Sequence, residues 1–484
     1  MLFNMIIIHG VVPNDFSMDT MVSIPKNKSM GYISDKNRII TLISSFGKLF
    51  DMLIIEYEGG GSLKTDCLQF GFKSDSSTVL CTSVLRETVC HFVQGGCNVY
   101  GLFLDASKAF DRVDYVKLFN LLIAKGMDIK LVRCLLQMYT NQTLRVKWNN
   151  VISEEFNALN GVKQGGVLSP LLFNIYMDEL IHRLRKSGVG CHVGPYYCSA
   201  FGYADDICII ANCIKDLSYM IKECEKFANE YRVMFNGAKS QLIKFSKSGD
   251  CIIEKDVFVC GHKIKPSKEV IHLGSKLMNN PFLDDCNNVI RKFYKQYNVF
   301  ISRFNYLPTE LKCKLFVTYC TSFYGLQICN ISKSHKLHVA IRKCIRHMLG
   351  LPYRTHSKLL NCILQSLCAD HLCQKRFLKF AHNVFTHKNS TVNFIYNLVK
   401  DQPHSIFAKS LTYCCINCNM SISNIKDKGC EQFAVLACTN TCMQEQDVVN
   451  AGVILELLKC VEDSYVNVLD KDESKYLLHY ICTE

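Results

Sequence analysis

Apolar residues divide this chain into recognisable segments. Residues 99–104 form a nearly unbroken apolar run, as expected of a central β-strand covered on both faces. Asp105 stands at its C-terminal end. From Ser107 the sequence turns towards a helix, with Asp111 placed to cap a body over residues 113–125. Residues 199–203 and 207–211 read as two further short strands, which sets Asp205 and Asp206 in the tight turn of a hairpin. Helical spacing predicts helices over residues 77–92 and 129–139. After a Gly-rich turn at residues 164–166, another begins with Ser169 as N-cap and Pro170 at its first position. A stripe from Leu217 to Tyr231 marks an amphipathic helix whose apolar face is core. From Pro281 the pattern becomes helical, over residues 287–304, 310–323 and 335–349, with Lys and Arg interleaved. Residues 1–21 show no clear pattern.

Composition narrows the classes of protein that fit. The 484 residues have room for about three structural units. Hydrophobic residues make up 49% of the chain, ample for buried cores. No run reaches the ~18 consecutive apolar residues of a membrane span, so no membrane association is expected. Residues 1–8 are apolar but lack a basic flank and a small-residue cleavage site. No signal peptide is expected, and the cytoplasm, the nucleus or both are the expected compartments. The formal net charge of +13 suits a phosphate-rich partner. The 28 cysteines are scattered through apolar segments, which predicts free thiols in a reducing compartment. Cys415, Cys418, Cys438 and Cys442 lack zinc-knuckle spacing, so no zinc site is expected there.

The acidic pair carries the chemistry. Adjacent carboxylates repel, and the flanks of Asp205 and Asp206 are too apolar for an ordinary surface loop. A divalent cation would neutralise the pair, and Asp105 offers a third oxygen donor of the kind Mg²⁺ prefers. Two such ions about 3.5–4 Å apart can activate an attacking hydroxyl and stabilise a leaving pyrophosphate oxygen.

Five segments together resemble a known family. Tyr203-Ala204-Asp205-Asp206 is similar to the Tyr-x-Asp-Asp box of reverse transcriptases. The segment from Leu104 to Asp111 resembles their first palm motif, in the form typical of non-LTR (LINE-type) retrotransposons. Gly161 to Phe173 resembles the second, with Gln-Gly followed by Ser-Pro. Phe235 to Ser240 is similar to the fourth, and His272-Leu273-Gly274 to the fifth, an aromatic-Leu-Gly primer grip with His for the aromatic. The five stand in the family's order over roughly residues 22 to 280.

The resemblance implies an α+β right-hand polymerase. Fingers and palm, an antiparallel sheet backed by helices, would span residues 22–281. A helical thumb at 282–351 and a helical C-terminal region at 352–484 would follow, with 1–21 unassigned. It implies an RNA-directed DNA polymerase that extends a DNA primer with dNTPs on an RNA template. Asp105, Asp205 and Asp206 would be catalytic and hold two Mg²⁺ ions, Mn²⁺ being an alternative. Arg38 would contact the incoming triphosphate, with Lys26 and Lys28 assisting, although Ile39 departs from the family pattern. Ala106 and Gln164 would lie beside the nucleotide. Phe110 would form the floor that clashes with a 2′-hydroxyl, and Lys239 would protonate the leaving pyrophosphate. Phe72 and Lys73 would be candidate template contacts, although Phe70 and Phe72 are both expected in the core rather than as a base-stacking platform. Nothing resembles a nuclease, so target cleavage would come from another chain or a missing region. Two rival readings stand beside this one: an inactive nucleic-acid-binding relict of a mobile element, and an RNA-directed RNA polymerase.

Overall fold

In the computed structural model, the described residues are 1–25, 37–58, 63–283, 286–364, 369–418 and 420–427. Two units are described in turn: residues 1–81 with 97–270, and residues 82–96 with the described residues from 271 onward.

The first unit begins with α1 (Leu2–His9), a short helix in the stretch that showed no pattern. Apart from Asn4 and His9 it is apolar, so little helical period is visible in so short a segment. Strands β1 (Met18–Pro25) and β2 (Asn37–Leu42) pair antiparallel, followed by α2 (Ser45–Glu58) and the first turn of α3 (Thr78–Gln94), whose residues from 82 onward belong to the second unit. Then come β3 (Val99–Leu104), α4 (Tyr115–Ala124), α5 (Ile129–Thr140) and β4 (Thr143–Trp148), the last parallel to β1. Short strands β5 (Val151–Ile152) and β6 (Phe156–Asn157) both pair with β4. After α6 (Ser169–Lys186) the hairpin β7 (His192–Val193) and β8 (Tyr196–Tyr197) leads into β9 (Ala200–Tyr203), β10 (Asp206–Ala211) and α7 (Ile214–Glu230). The unit closes with β11 (Gln241–Phe245), the ribbon of β12 (Val257–Val259) and β13 (His262–Ile264), and β14 (Pro266–Ser267).

One five-stranded sheet, in the order β14-β11-β3-β10-β9, organises this unit. β3 lies antiparallel to β10 on one side and to β11 on the other. Being central, it is buried along almost its whole length, which explains its lack of polar alternation. Helix α6 packs on β9 and α7 on β10, burying Phe173, Tyr176, Phe201 and Phe227 completely. An amphipathic stripe on each helix thus covers one face of the sheet.

Three local expectations are corrected. The hairpin turn consists of Ala204 and Asp205, and Asp206 is already the first residue of β10, opposite Tyr203. A 3₁₀ turn over Phe110–Arg112 interrupts the expected helix after Ser107, so Asp114 rather than Asp111 caps α4, accepting from Lys117 N. Ser169 is helical rather than the N-cap of α6, a position taken by Leu168, and its hydroxyl meets the Tyr139 hydroxyl at 3.4 Å.

The second unit contains the ribbon β15 (Glu269–His272) and β16 (Ser275–Met278), whose first strand begins in the other unit. Helices α8 (Asn287–Phe304), α9 (Thr309–Cys320) and α10 (His335–Leu349) pack around Phe293, Tyr297 and Phe316. The sequence-predicted helices at 287–304 and 335–349 match in full. α11 (Ser357–Leu364), α12 (Ala369–Thr386), α13 (Ser390–Val399), α14 (Ile406–Asn417) and α15 (Ile422–Asp427) follow, as expected of a helical C-terminal region. Buried Arg86 ties this unit together by donating to the carbonyls of Pro281, Leu283 and Ile328.

The cysteines among the described residues carry free thiols, Cys415 and Cys418 included. Cys438 and Cys442 lie outside the described residues. No described helix is long and apolar enough to cross a membrane.

Candidate active site

The antiparallel register decides what meets at the end of β3. Leu104 pairs with Ile207, so one step further Asp105 faces Asp206, with Asp205 in the adjoining turn. Like charges this close disfavour ionisation. The Asp206 carboxyl is pushed up to about 6 by lost hydration first, then by repulsion from Asp205 and Asp105. Asp206 is exposed at the surface, yet one side of it rests on the sheet. Among the described residues no three His, Cys, Asp or Glu side chains stand ready-grouped around a metal position.

Residues 234–240 are laced to the same strand end. Asn236 N donates to Asp105 O at 2.8 Å, Ser107 N to Met234 O at 2.9 Å, and Ala106 bridges Phe235. This lacing brings the Lys239 ammonium to 3.8 Å from the Asp105 carboxylate, both partly exposed.

A second group of predicted residues meets beside the 3₁₀ turn. The Phe110 ring stacks on Phe173, with centroids 4.2 Å apart and planes 13° apart, and Phe72 meets it edge-on at 6.4 Å. Val162 N donates to Phe110 O at 2.8 Å, and Gln164 Nε2 to Asp111 Oδ1 at 3.2 Å. Thr41 N donates to Gln164 O at 2.6 Å, joining the Gly-rich turn to β2. Gly165 makes that approach possible, since at φ +111° a Cβ would stand 2.7 Å from Thr41 O. Between these segments opens a cavity of about 150 Å³ whose lining includes Met21, Ile39, Thr41, Asp111, Gln142 and Gln164. Directly beneath it Lys163 and Asp19 form an ion pair at 2.8 Å, almost wholly buried, and Gln142 Nε2 donates to the same carboxylate at 3.1 Å. Asp51, close by, is pushed up to about 6, chiefly by burial.

Other predicted residues do not join these groups. Arg38 is exposed on β2 opposite Ile24, and no hydrogen bond or ion pair among the described residues ties it to Gln164 or to the carboxylates. Lys26 and Lys28 lie outside the described residues. Lys73 is corrected from a template contact to an internal tether, for its ammonium donates to the carbonyls of Thr65 and Asp66. Burial lowers its proton affinity. Phe70 is core, as expected, whereas Phe72, also expected there, is exposed and meets the Phe110 ring edge-on. His272 is buried in the second unit, with Nδ1 3.1 Å from Thr82 Oγ1, and burial lowers it to about 3, so its ring is neutral. Phe173, Asp19 and Lys163 were missed as parts of the site. Phe173 and Lys163 lay inside the Gln-Gly…Ser-Pro segment, so adjacency was the only signal available.

Comparison with known proteins decides the family. The profile of the reverse transcriptase (RNA-dependent DNA polymerase) family matches residues 24–277, just over half the chain. The chain belongs to the reverse transcriptase family. Its fold is accordingly the α+β right-hand polymerase type, and its relatives come from non-LTR retrotransposons. It is 28% identical over 274 residues to the Pol polyprotein of the type-2 retrotransposable element R2DM of Drosophila melanogaster, covering 55% of this chain and 25% of the relative. It is 23% identical over 415 residues to the RNA-directed DNA polymerase from mobile element jockey of Drosophila funebris, covering 81% and 44%. The chain thus spans about a quarter of the length of the R2 relatives it matches. Apo telomerase from Candida Tropicalis is similar over 89% of this chain and 70% of its own, at 12% identity and a TM-score of 0.41.

Proposed function

We propose that this chain is the RNA-directed DNA polymerase of a non-LTR retrotransposon, joining dNTPs to the 3′-hydroxyl of a DNA primer on an RNA template. The observation that carries this reading is the register that sets Asp105 opposite Asp206 with Asp205 in the adjoining turn, where lost hydration first, and then repulsion from Asp205 and Asp105, push Asp206 up to about 6. Such a donor set suits a hard divalent cation: all its ligand atoms are carboxylate oxygens, and one group is already driven towards its neutral form. Bound there, two Mg²⁺ ions, or Mn²⁺ in their place, would acidify the primer hydroxyl and offset charge on the departing pyrophosphate.

The remaining roles belong to the chain's own side chains. Asp105, Asp205 and Asp206 hold the charge that fixes where the α-phosphate is attacked. Lys239, within 4 Å of Asp105, donates a proton to the leaving pyrophosphate. Phe110, pinned by its stack on Phe173, forms a rigid floor where a 2′-hydroxyl would clash, and Ala106 leaves room above it. Gln164 lines the cavity beside that floor and orients the incoming sugar. Arg38, exposed on β2, offers a bidentate clamp to the triphosphate. The basic helices α8 to α10 correspond to a thumb at 282–351 that follows the duplex backbone, after fingers and palm at 22–281 and before a helical region at 352–484. Target cleavage falls to another chain or another region.

Primer extension tests this reading. With a homopolymer RNA template and a complementary DNA primer, the purified chain is expected to add the matching dNTP and to discriminate strongly against the ribonucleotide. Binding of template–primer without incorporation of either nucleotide would instead mark an inactive relict. Equal or better use of the ribonucleotide would mark an RNA polymerase.

A further inference from the structure

The residue before Phe70 is fully buried, polar and not required by any role assigned above. Gln69 has no exposed surface, and its Oε1 accepts two backbone N–H groups, Gly71 at 3.1 Å and Ala204 at 2.9 Å. Ala204 is the first residue of the Asp205 turn and has φ +57°. A left-handed backbone is unfavourable for a residue with a Cβ, because the Cβ crowds its own carbonyl. A buried N–H without an acceptor is unfavourable as well. Gln69 answers the second need and thereby holds the first conformation in place.

The surroundings are shaped to the same end. Phe70 N donates to Gly202 O at 2.7 Å and Gly202 N to Leu68 O at 2.9 Å, so residues 68–70 run alongside the hairpin. A Cβ on Gly202 would stand 3.0 Å from Gln69 Nε2. A Cβ on Gly71 would stand 2.5 Å from Ala204 N, closer than any real contact. From the far side Asn174, with no exposed surface on α6, donates its amide to Gly71 O at 2.6 Å. The chain of contacts therefore runs from α6 through Gly71 and Gln69 to the backbone of the acidic turn.

We propose that Gln69 is a positioning residue for the Asp205–Asp206 turn, its buried side-chain carbonyl clamping the left-handed Ala204 so that the carboxylates are held ready for cations and primer. This rests on the polymerase reading above.

The test uses Gln69→Met, which keeps the shape and removes the acceptor. Two measurements on the full chain are needed: Mn²⁺ titration of the protein alone, followed by electron paramagnetic resonance of the free ion, and single-nucleotide extension at saturating template–primer. The expected result is Mn²⁺ binding weakened about tenfold or more and extension slowed by roughly 10²-fold, as for a slight misplacement of reacting groups. Template–primer affinity should stay within about twofold. Placing Gly at 204 in the same chain should recover much of the loss, because Gly adopts the left-handed conformation unaided. If Gln69→Met fails to fold, Gly71→Ala must give the same split, since it crowds Ala204 N from beside an intact Gln69. Unchanged Mn²⁺ binding, or an equal loss of cation, duplex and extension that Ala204→Gly does not relieve, overturns the proposal. A parent chain that binds Mn²⁺ but extends no primer overturns the polymerase reading instead, and the Mn²⁺ titration still decides the role of Gln69.

Discussion

At the scale of single residues, the two aromatic rings and the acidic group make separable predictions. Phe110 discriminates by shape only if it cannot move, and the stack on Phe173 removes that freedom. Phe110→Val should therefore raise the efficiency of ribonucleotide incorporation relative to dNTP by about tenfold or more, read as a ratio of kcat/KM values. Phe173→Leu should give a smaller shift of the same sign, because the floor stays but loses its backing. Asp206 makes a prediction about pH. Its value in the fold, about 6, lies above the ordinary 3.8, so between those limits the folded chain binds more protons than the unfolded one. Stability from this group is thus present at low pH and falls as pH rises towards 6. A cation reverses the loss only where the group is charged. Mg²⁺ should accordingly raise the Tm at pH 8 and do little at pH 5, and Asp206→Asn should abolish the difference. The residues behind these predictions differ in how visible they were. Asp105, Asp205 and Asp206 stand out in the sequence because charge interrupts apolar runs. Phe173 and Gln69 look like ordinary core and loop, since their partners lie far away along the chain.

At the scale of elements, the buried pair beneath the Gly-rich turn is the clearest device. Lys163 and Asp19 join β1 to the loop that carries Gln164, at almost no exposure. Removing one partner leaves a buried charge uncompensated, so Asp19→Leu or Lys163→Met alone should cost about 3–5 kcal/mol in denaturant unfolding. The double substitution should cost less than either single one, a coupling that a double-mutant cycle would read directly. Gly165→Ala should act more locally, pushing a methyl towards Thr41 O and raising KM for dNTP with little change in template binding. Elements with one dominant signal were legible beforehand: the unbroken apolar run of β3 and the amphipathic stripes of α7, α8 and α10. The rest turned on tertiary contacts that local sequence does not contain. The hairpin turn shifted by one residue because Ala204 takes a left-handed conformation against Gln69. The cap of α4 moved to Asp114 because a 3₁₀ turn is held by the strand of contacts from Val162 and Gly161. Helix α1 was invisible because an eight-residue segment that is apolar except at Asn4 and His9 shows no clear period.

At the scale of the whole molecule, a net charge of +13 coexists with a strand end where Asp105 faces Asp206 and Asp205 lies in the adjoining turn. Positive charge spread over the chain would favour a polyanionic duplex, whereas the proposed site would take cations, so on this account binding and chemistry are separable properties. Template–primer affinity should fall steeply with salt, and the carboxylates should contribute little to it. The most direct test is single-nucleotide extension by Asp205→Asn beside the parent chain, with duplex affinity measured on both. The account predicts that extension drops by at least about 10³-fold, as for loss of a group that stabilises the transition state, while duplex binding stays within about twofold. Extension by Asp205→Asn at the parent rate would contradict it.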